Sequence, residues 1–154
     1  MKTAEEIWNE KERHLVTVTA DTKIYDALKL MAQHKIGAML ITENDKIVGI
    51  WTERDLMEDI AEKECDIKNA RIGDYMTTDL KSVDSSATVY EMLDKYLGMR
   101  LRHLIIEKDG EHVGMLSMGD VIRASLVEKT NELEKLNQIV SWEYYENWKW
   151  ATKK

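Results

Sequence analysis

A single cysteine in 154 residues excludes an internal disulfide, and Cys65 has no second Cys or His at zinc-ligand spacing. It reads as an inert thiol between the two halves of the chain. No apolar run approaches the ~18 residues that would cross a bilayer, and Met1-Lys2-Thr3-Ala4-Glu5-Glu6 lacks the apolar core of a secretory signal. These two absences predict a cytoplasmic protein with no membrane partner. Cations are outnumbered, 22 Lys and Arg against 29 Asp and Glu for a net charge of −7, which disfavours nucleic acid as a bulk partner. Catalytic furniture is missing too. His14, His34, His103 and His112 show no metal-ligand spacing, and there is neither a Ser-centred nucleophile elbow nor a Walker-type phosphate loop. A protein that is not an enzyme, with no metal and no catalytic cofactor, is expected.

What the chain does have is a repeat. Gly49-Ile50-Trp51-Thr52-Glu53-Arg54-Asp55 and Gly114-Met115-Leu116-Ser117-Met118-Gly119-Asp120 are one motif written twice, 65 positions apart. The same offset pairs Val18 with Val83, Asp26 with Glu91, Leu28 with Leu93, Ile36 with Leu101, Leu40 with Ile105 and Val48 with Val113. Within each copy the apolar period changes in the same order. Ile24, Ala27, Leu28 and Met31 fall at helical spacing, as do Val89, Met92, Leu93 and Tyr96. The apolar runs Ala38 to Ile41 and Leu104 to Ile106 are too short for helices and read as buried strands. Asn44-Asp45-Lys46 and Asp109-Gly110-Glu111 supply hairpin turns, after which Lys46 to Trp51 and His112 to Leu116 return as second strands. Thr52-x-x-Asp55 and Ser117-x-x-Asp120 then open a helix.

The unit is β-α-β-β-α, and its two copies predict an α/β (α+β) fold with a pseudo-twofold pair. Repeats span 10–68 and 72–126, and 127–154 forms a helical tail. Two units of this size must share a core, so neither half should be stable alone.

These residues resemble the cystathionine β-synthase (CBS) domain, whose tandem pair is called a Bateman module. The family's hallmark is Gly, a hydrophobic residue, any residue, Ser or Thr, two residues, then Asp, and both copies satisfy it. Tyr75-Met76-Thr77 and Arg100-x-Arg102-His103 resemble further family features, although the prolines that many members carry are missing. The resemblance covers roughly residues 10 to 125 and implies a stand-alone module that binds an adenosine nucleotide.

Two readings of the motif stand side by side. Thr52 and Ser117 can be helix N-caps, with Asp55 and Asp120 as capping-box partners. The same helix N-terminus can also receive a phosphate, the hydroxyl donating to it while the carboxylate accepts from ribose hydroxyls. Lys35, Arg54, Arg100, Arg102, His103 and Arg123 lie near the motifs and can supply local positive charge. Where the second copy has Arg102 and His103, suited to phosphate, the first has Gly37 and Ala38, which let backbone approach a flat base. The two sites are therefore expected to differ. The resemblance further implies that Thr17, Val18, Ser82 and Val83 line the pockets and contact the base.

No Gly and no Pro occurs from Asp120 to Trp150, and Leu126, Leu133, Leu136 and Val140 recur at helical spacing, so a long C-terminal helix is expected. It ends in Trp142, Tyr144, Tyr145, Trp148 and Trp150, which suit packing on the chain's own domain, on a second copy, or on another protein. Ala4 to Arg13 reads as a short helix on the same surface. Leu56, Met57 and Ile60, with Val121, Ile122 and Leu126, exceed what one sheet face covers and point to a homodimer. The functional expectation is a regulatory sensor that binds AMP, ADP, ATP or NAD and acts on a separate target polypeptide. The alternative is a constitutive dimerisation or adaptor protein with degenerate ligand sites.

Overall fold

The computed structural model describes residues 1–11 and 14–151, with side chains as far as Gln138. Its elements run α1 (Ala4–Glu10), β1 (Thr17–Thr19), α2 (Ile24–His34), β2 (Ala38–Glu43), β3 (Lys46–Thr52), α3 (Glu53–Lys63), β4 (Ser82–Asp84), α4 (Val89–Gly98), β5 (His103–Lys108), β6 (Glu111–Ser117) and α5 (Met118–Ala151). The β-α-β-β-α unit is present twice. Each copy builds a three-stranded sheet, β1-β2-β3 or β4-β5-β6, parallel in its first pair and antiparallel in its second.

Register repeats with the sequence. Thr17 faces Leu40 as Ser82 faces Ile105, and the hairpins carry matching bulges at Ile41/Thr42 and Ile106/Glu107. Even the strained backbone recurs: Lys35 and Arg100, Asn44 and Asp109, and Asp45 and Gly110 all adopt positive φ at the same 65-residue offset. Asn, Asp and Gly accept that conformation at hairpin turns with little penalty. Their repetition fixes both turns alike.

Strand alternation divides the apolar residues between two destinations. Val18, Met39, Ile41 and Trp51 pack with Ile24, Ala27 and Met31 of α2 in one core, while Val83, Leu104, Ile106 and Leu116 pack with Val89, Met92 and Tyr96 of α4 in another. Ala38, Leu40 and Ile105 alternate with these core positions and are also almost fully buried. Ile50 and Ile105, one from each repeat, line a single cavity.

Each core is completed by the segment that precedes the other repeat. Ile72, in a short 3-10 turn between the repeats, is fully buried in the first core, and Thr77 exchanges two backbone hydrogen bonds with Ile50 at 2.9 and 2.8 Å. In return α1 joins the second core through Ala4 and Ile7, and its first N–H groups donate to Ala87 O and Ser85 O at 2.8 and 2.9 Å. The predicted N-terminal helix therefore exists, but it ends at Glu10 and packs on β6 and the first turns of α5. Arg13 lies outside the described residues.

The long final helix is also present, and it passes without a break through 126 and 127, so the tail continues the last helix of the second repeat. The side chains of Val140, Trp142, Tyr144, Tyr145, Trp148 and Trp150 lie outside those described. Of the apolar residues expected to need a partner surface, Val121 is fully buried and Leu56 packs on the first core. Met57, Ile60, Ile122 and Leu126 remain exposed. Among the described residues, no helix is long and apolar enough to cross a membrane.

Candidate functional site

At the end of β3 the extended backbone of Thr52 turns into α3, and its hydroxyl accepts from Asp55 N–H at 3.3 Å. Asp55 Oδ2 reaches back to accept from Thr52 N–H at 2.8 Å. Ser117 and Asp120 close the same reciprocal cap at 3.1 and 2.8 Å. Capping is thus real at both motifs, and each box contributes about 1 kcal/mol to its helix. It does not use up the chemistry, because the Thr52 hydroxyl proton and Asp55 Oδ1 are engaged by no partner among the described residues.

Beside the first motif opens a cavity of about 590 Å³ whose walls come from both repeats. The first repeat contributes Gly37, Ile50, Thr52, Glu53, Arg54, Asp55 and Met57; the second contributes Arg100, Leu101, Arg102, His103 and Ile105. Thr77, Asp79 and Lys81, from the stretch that leads into β4, complete it. Lys81 pairs with Asp79 at 2.7 Å, whereas Arg54, Arg100 and Arg102 pair with no carboxylate among the described residues. Three unneutralised guanidinium groups therefore converge here in an acidic protein. His103 adds a neutral imidazole: burial, then the charges of Lys11 and Arg102, outweigh Asp120 and push its pKa down to about 4.

The structure brings together Gly37, Thr52, Arg54, Asp55, Arg102 and His103 from the residues singled out in the sequence. The copies cross: the first motif is served by the cations of the second repeat. Backbone bonds hold the strand leads in place, Glu53 N–H donating to Gly37 O at 3.0 Å and Met118 N–H to Arg102 O at 2.8 Å.

Other candidates lie elsewhere. Val18 and Val83 point into their own cores because strand alternation turns them inward. Thr17 is exposed beside Val18, Ala38 is buried, and Ser82 donates its hydroxyl to Glu107 Oε2 at 3.2 Å. None of these five lines the cavity. The open approach expected over Gly37 is occupied, since a Cβ there would lie 3.3 Å from the Glu53 carboxyl carbon. Asp120 lines a separate cavity of about 580 Å³ with Lys11 and Arg123, and Ser117 lines neither.

Sequence reasoning missed Glu53, Thr77, Asp79, Lys81 and Lys11. The signal for Thr77 was its place in the Tyr75-Met76-Thr77 lead, which the backbone exchange with Ile50 turns into a wall. Among the described residues, no group of three or more His, Cys, Asp or Glu side chains is placed to hold a metal ion.

Comparison with known proteins agrees with this architecture. The CBS domain family description matches residues 5–62 and 72–127. A CBS domain-containing protein of Arabidopsis thaliana, the mitochondrial CBSX3, is 35% identical over 82% of the chain, which spans 64% of that relative's length. A CBS-domain containing protein from Agrobacterium tumefaciens superposes with a TM-score of 0.75 at 30% identity, covering 80% of this chain and 99% of the other. CBSX2, solved in complex with AMP, superposes with a TM-score of 0.68 at 26% identity, covering 84% and 99%. The chain belongs to the CBS-domain family, as a tandem pair or Bateman module, and modules of this kind are typically non-catalytic regulatory domains.

Proposed function

We propose that the protein is a sensor that binds an adenosine nucleotide, AMP, ADP, ATP or NAD, in the cavity shared by its two repeats and leaves it chemically unchanged. The observation that carries this is the convergence of Arg54, Arg100 and Arg102, without carboxylate partners, on a cavity that also holds the Thr52/Asp55 helix N-terminus. In this reading the guanidinium forks and the Thr52 hydroxyl bind phosphate. Asp55 Oδ1 accepts from the ribose, and Ile50, Leu101 and Ile105 offer apolar walls to the base. The AMP complex of the structurally similar CBSX2 supports the ligand class.

Asp55→Ala should weaken AMP binding about 10- to 100-fold, the loss of a hydrogen bond to a charged group. Arg102→Ala should weaken ATP more than adenosine. Calorimetric titration of each variant, at a temperature where its melting curve shows it folded, checks both. Wild-type protein that gives no heat with AMP, ADP, ATP or NAD would sink the sensor and favour the adaptor reading, which the completed capping boxes support independently.

We propose further that the protein is a homodimer. Met57 is 64% exposed and Leu126 62%, and these, with the exposed Ile60 and Ile122, are apolar side chains that a symmetric partner would cover. The Trp- and Tyr-rich end of the chain then either extends that pairing or docks a target protein. Light scattering should report twice the chain mass, and removal of residues 131–154 should weaken the dimer if the tail crosses over. A monomer at micromolar concentration would refute the assembly.

A further inference from the structure

The last helix outruns the domain it belongs to. The family match ends at residue 127, but α5 continues from Met118 to Ala151 without a break. Val121 and Ala124 are buried in the second core and Ser125 and Glu128 are half-buried, whereas every residue from Lys129 to Gln138 is exposed. A helix standing free in water is marginal, because most of its stability comes from burying one face against a neighbour. Something has to cover it.

The face on offer is narrow. Ile122, Leu126, Leu133 and Leu136 follow one another at intervals of four, seven and three residues, the a and d positions of a heptad, and are 41, 62, 59 and 55% exposed. Lys129 takes the remaining position in that stripe. Arg123, Thr130 and Asn137 border it on one side, Ser125 and Glu132 on the other. A seam of two positions per heptad between polar borders suits a second helix and not a sheet.

Lys129 decides which helix, and in which direction. Its ammonium lies 3.3 Å from the Glu132 carboxylate and beside Tyr90 of α4, and both members of the ion pair stay more than half exposed. Two copies of α5 laid parallel and in register would set Lys129 against Lys129, a like-charge layer in the middle of the seam. Laid antiparallel about a twofold axis near residue 131, Leu126 meets Leu136 of the second copy and Lys129 meets Leu133. The lysine stem then covers the leucine while its ammonium reaches Glu132 of the second copy, so the charges complement each other twice across the axis. The four layers from Leu126 to Leu136 thus find their partners in the chain's own sequence, as a symmetric pairing requires.

We infer that the exposed stripe of α5 is a dimerisation surface that pairs antiparallel with α5 of a second copy, Leu126 against Leu136 and Lys129 against Leu133. This rests on the homodimer reading and adds to it the surface and its direction, in a helix that runs beyond the family's domain.

Disulfide trapping in the full-length chain tests the inference, in a Cys65→Ala background that removes the native thiol. Leu126→Cys and Leu136→Cys, carried on separately tagged chains, should cross-link when subunits are exchanged and oxidised, because they face each other in the antiparallel register. Either variant alone should not, since its two copies stand about 15 Å apart along the axis. Trapping in each variant alone would overturn the direction, and no trapping in any combination of a dimeric protein would overturn the pairing. Leu133→Asp/Leu136→Asp, confirmed folded by its melting curve, should raise the dimer dissociation constant about 100-fold, since two leucines per chain lose their burial. A double variant that dimerises as tightly as the wild type would also overturn the inference and leave the stripe to another protein. A wild-type chain that light scattering finds monomeric would instead remove the homodimer reading itself, and this inference with it.

Discussion

Replacing Gly114 by alanine should destabilise the protein by about 2–3 kcal/mol, lowering its melting temperature by roughly 5 to 10 °C for a chain of this size. A Cβ at this position would lie 2.6 and 2.7 Å from Cε2 and Cδ2 of Trp8, closer than carbon atoms can approach. The indole is a rigid plate. Its helix is tied down through the backbone bonds from Ala4 and Glu5 to Ala87 and Ser85, so the ring cannot retreat without undocking α1 from the second core.

Gly49 is the matching residue, and there a Cβ would overlap Sδ of Met76 and lie 2.8 Å from its Cγ. Methionine turns about several bonds, so Gly49→Ala should cost less, about 1 kcal/mol. Thermal melts of both variants test the difference, and a Trp8→Ala background decides its cause. If the clash is the source, Gly114→Ala should cost little once Trp8 is gone, a strongly non-additive pair. An undiminished cost in that background would place the strain in β6 itself.

That glycine shows how far the sequence could be read. Its repetition at a fixed offset located the motif, the strand before it and the helix after it, because local geometry is written in local residues: a hairpin turn at Asn44 and Asp109, a hydroxyl and a carboxylate at each cap. Why the motif needs glycine was not legible, since the answer is a side chain that arrives from elsewhere in the chain. Trp8 precedes Gly114 by more than a hundred residues and Met76 follows Gly49, and neither approach leaves a period or a spacing to find. The reciprocal docking of α1 on the second repeat escaped for the same reason. Its amphipathic residues, Ala4, Ile7 and Trp8, announce a helix with an apolar face but not the face it meets.

The candidate site divides along the same line. Thr52 and Asp55 were readable because capping and phosphate binding both demand a particular residue at a helix start. Arg102 and His103 were readable as chemistry but not as placement, and only the fold shows that they cross to the other repeat's motif. Val18 and Val83 were carried over from the family resemblance. Alternation along β1 and β4 turns both into their cores. Lys11 had no signal at all, as a single lysine beyond a short helix looks like any solvated charge.

His103 makes acid the condition that separates structure from charge. Burial first, then the positive charges of Lys11 and Arg102, disfavour the imidazolium, while Asp120 favours it; the balance leaves a pKa of about 4 against an ordinary 6.5. In the unfolded chain the ring takes up a proton near its ordinary value. Between these two values the unfolded state therefore binds more protons, and stability rises with pH. The contribution of neutral His103 is fully present above pH 6.5 and is lost as the pH falls toward 4, a difference on the order of 3 kcal/mol. Asp120 acts in a separate window, because its lowered pKa removes stability only as the pH falls below the ordinary aspartate value of 3.8. Urea unfolding at pH 7, 6, 5 and 4.5 should show the wild type weakening steadily across the range, and His103→Gln, which keeps a polar side chain without a titrating ring, should flatten the slope. A phosphate bound in the cavity beside Arg102 opposes that positive charge and favours the imidazolium, so the AMP complex should lose less stability over that range than the free protein. An NMR titration that finds the His103 ring protonating near 6.5 in the free protein would remove the basis for all three expectations.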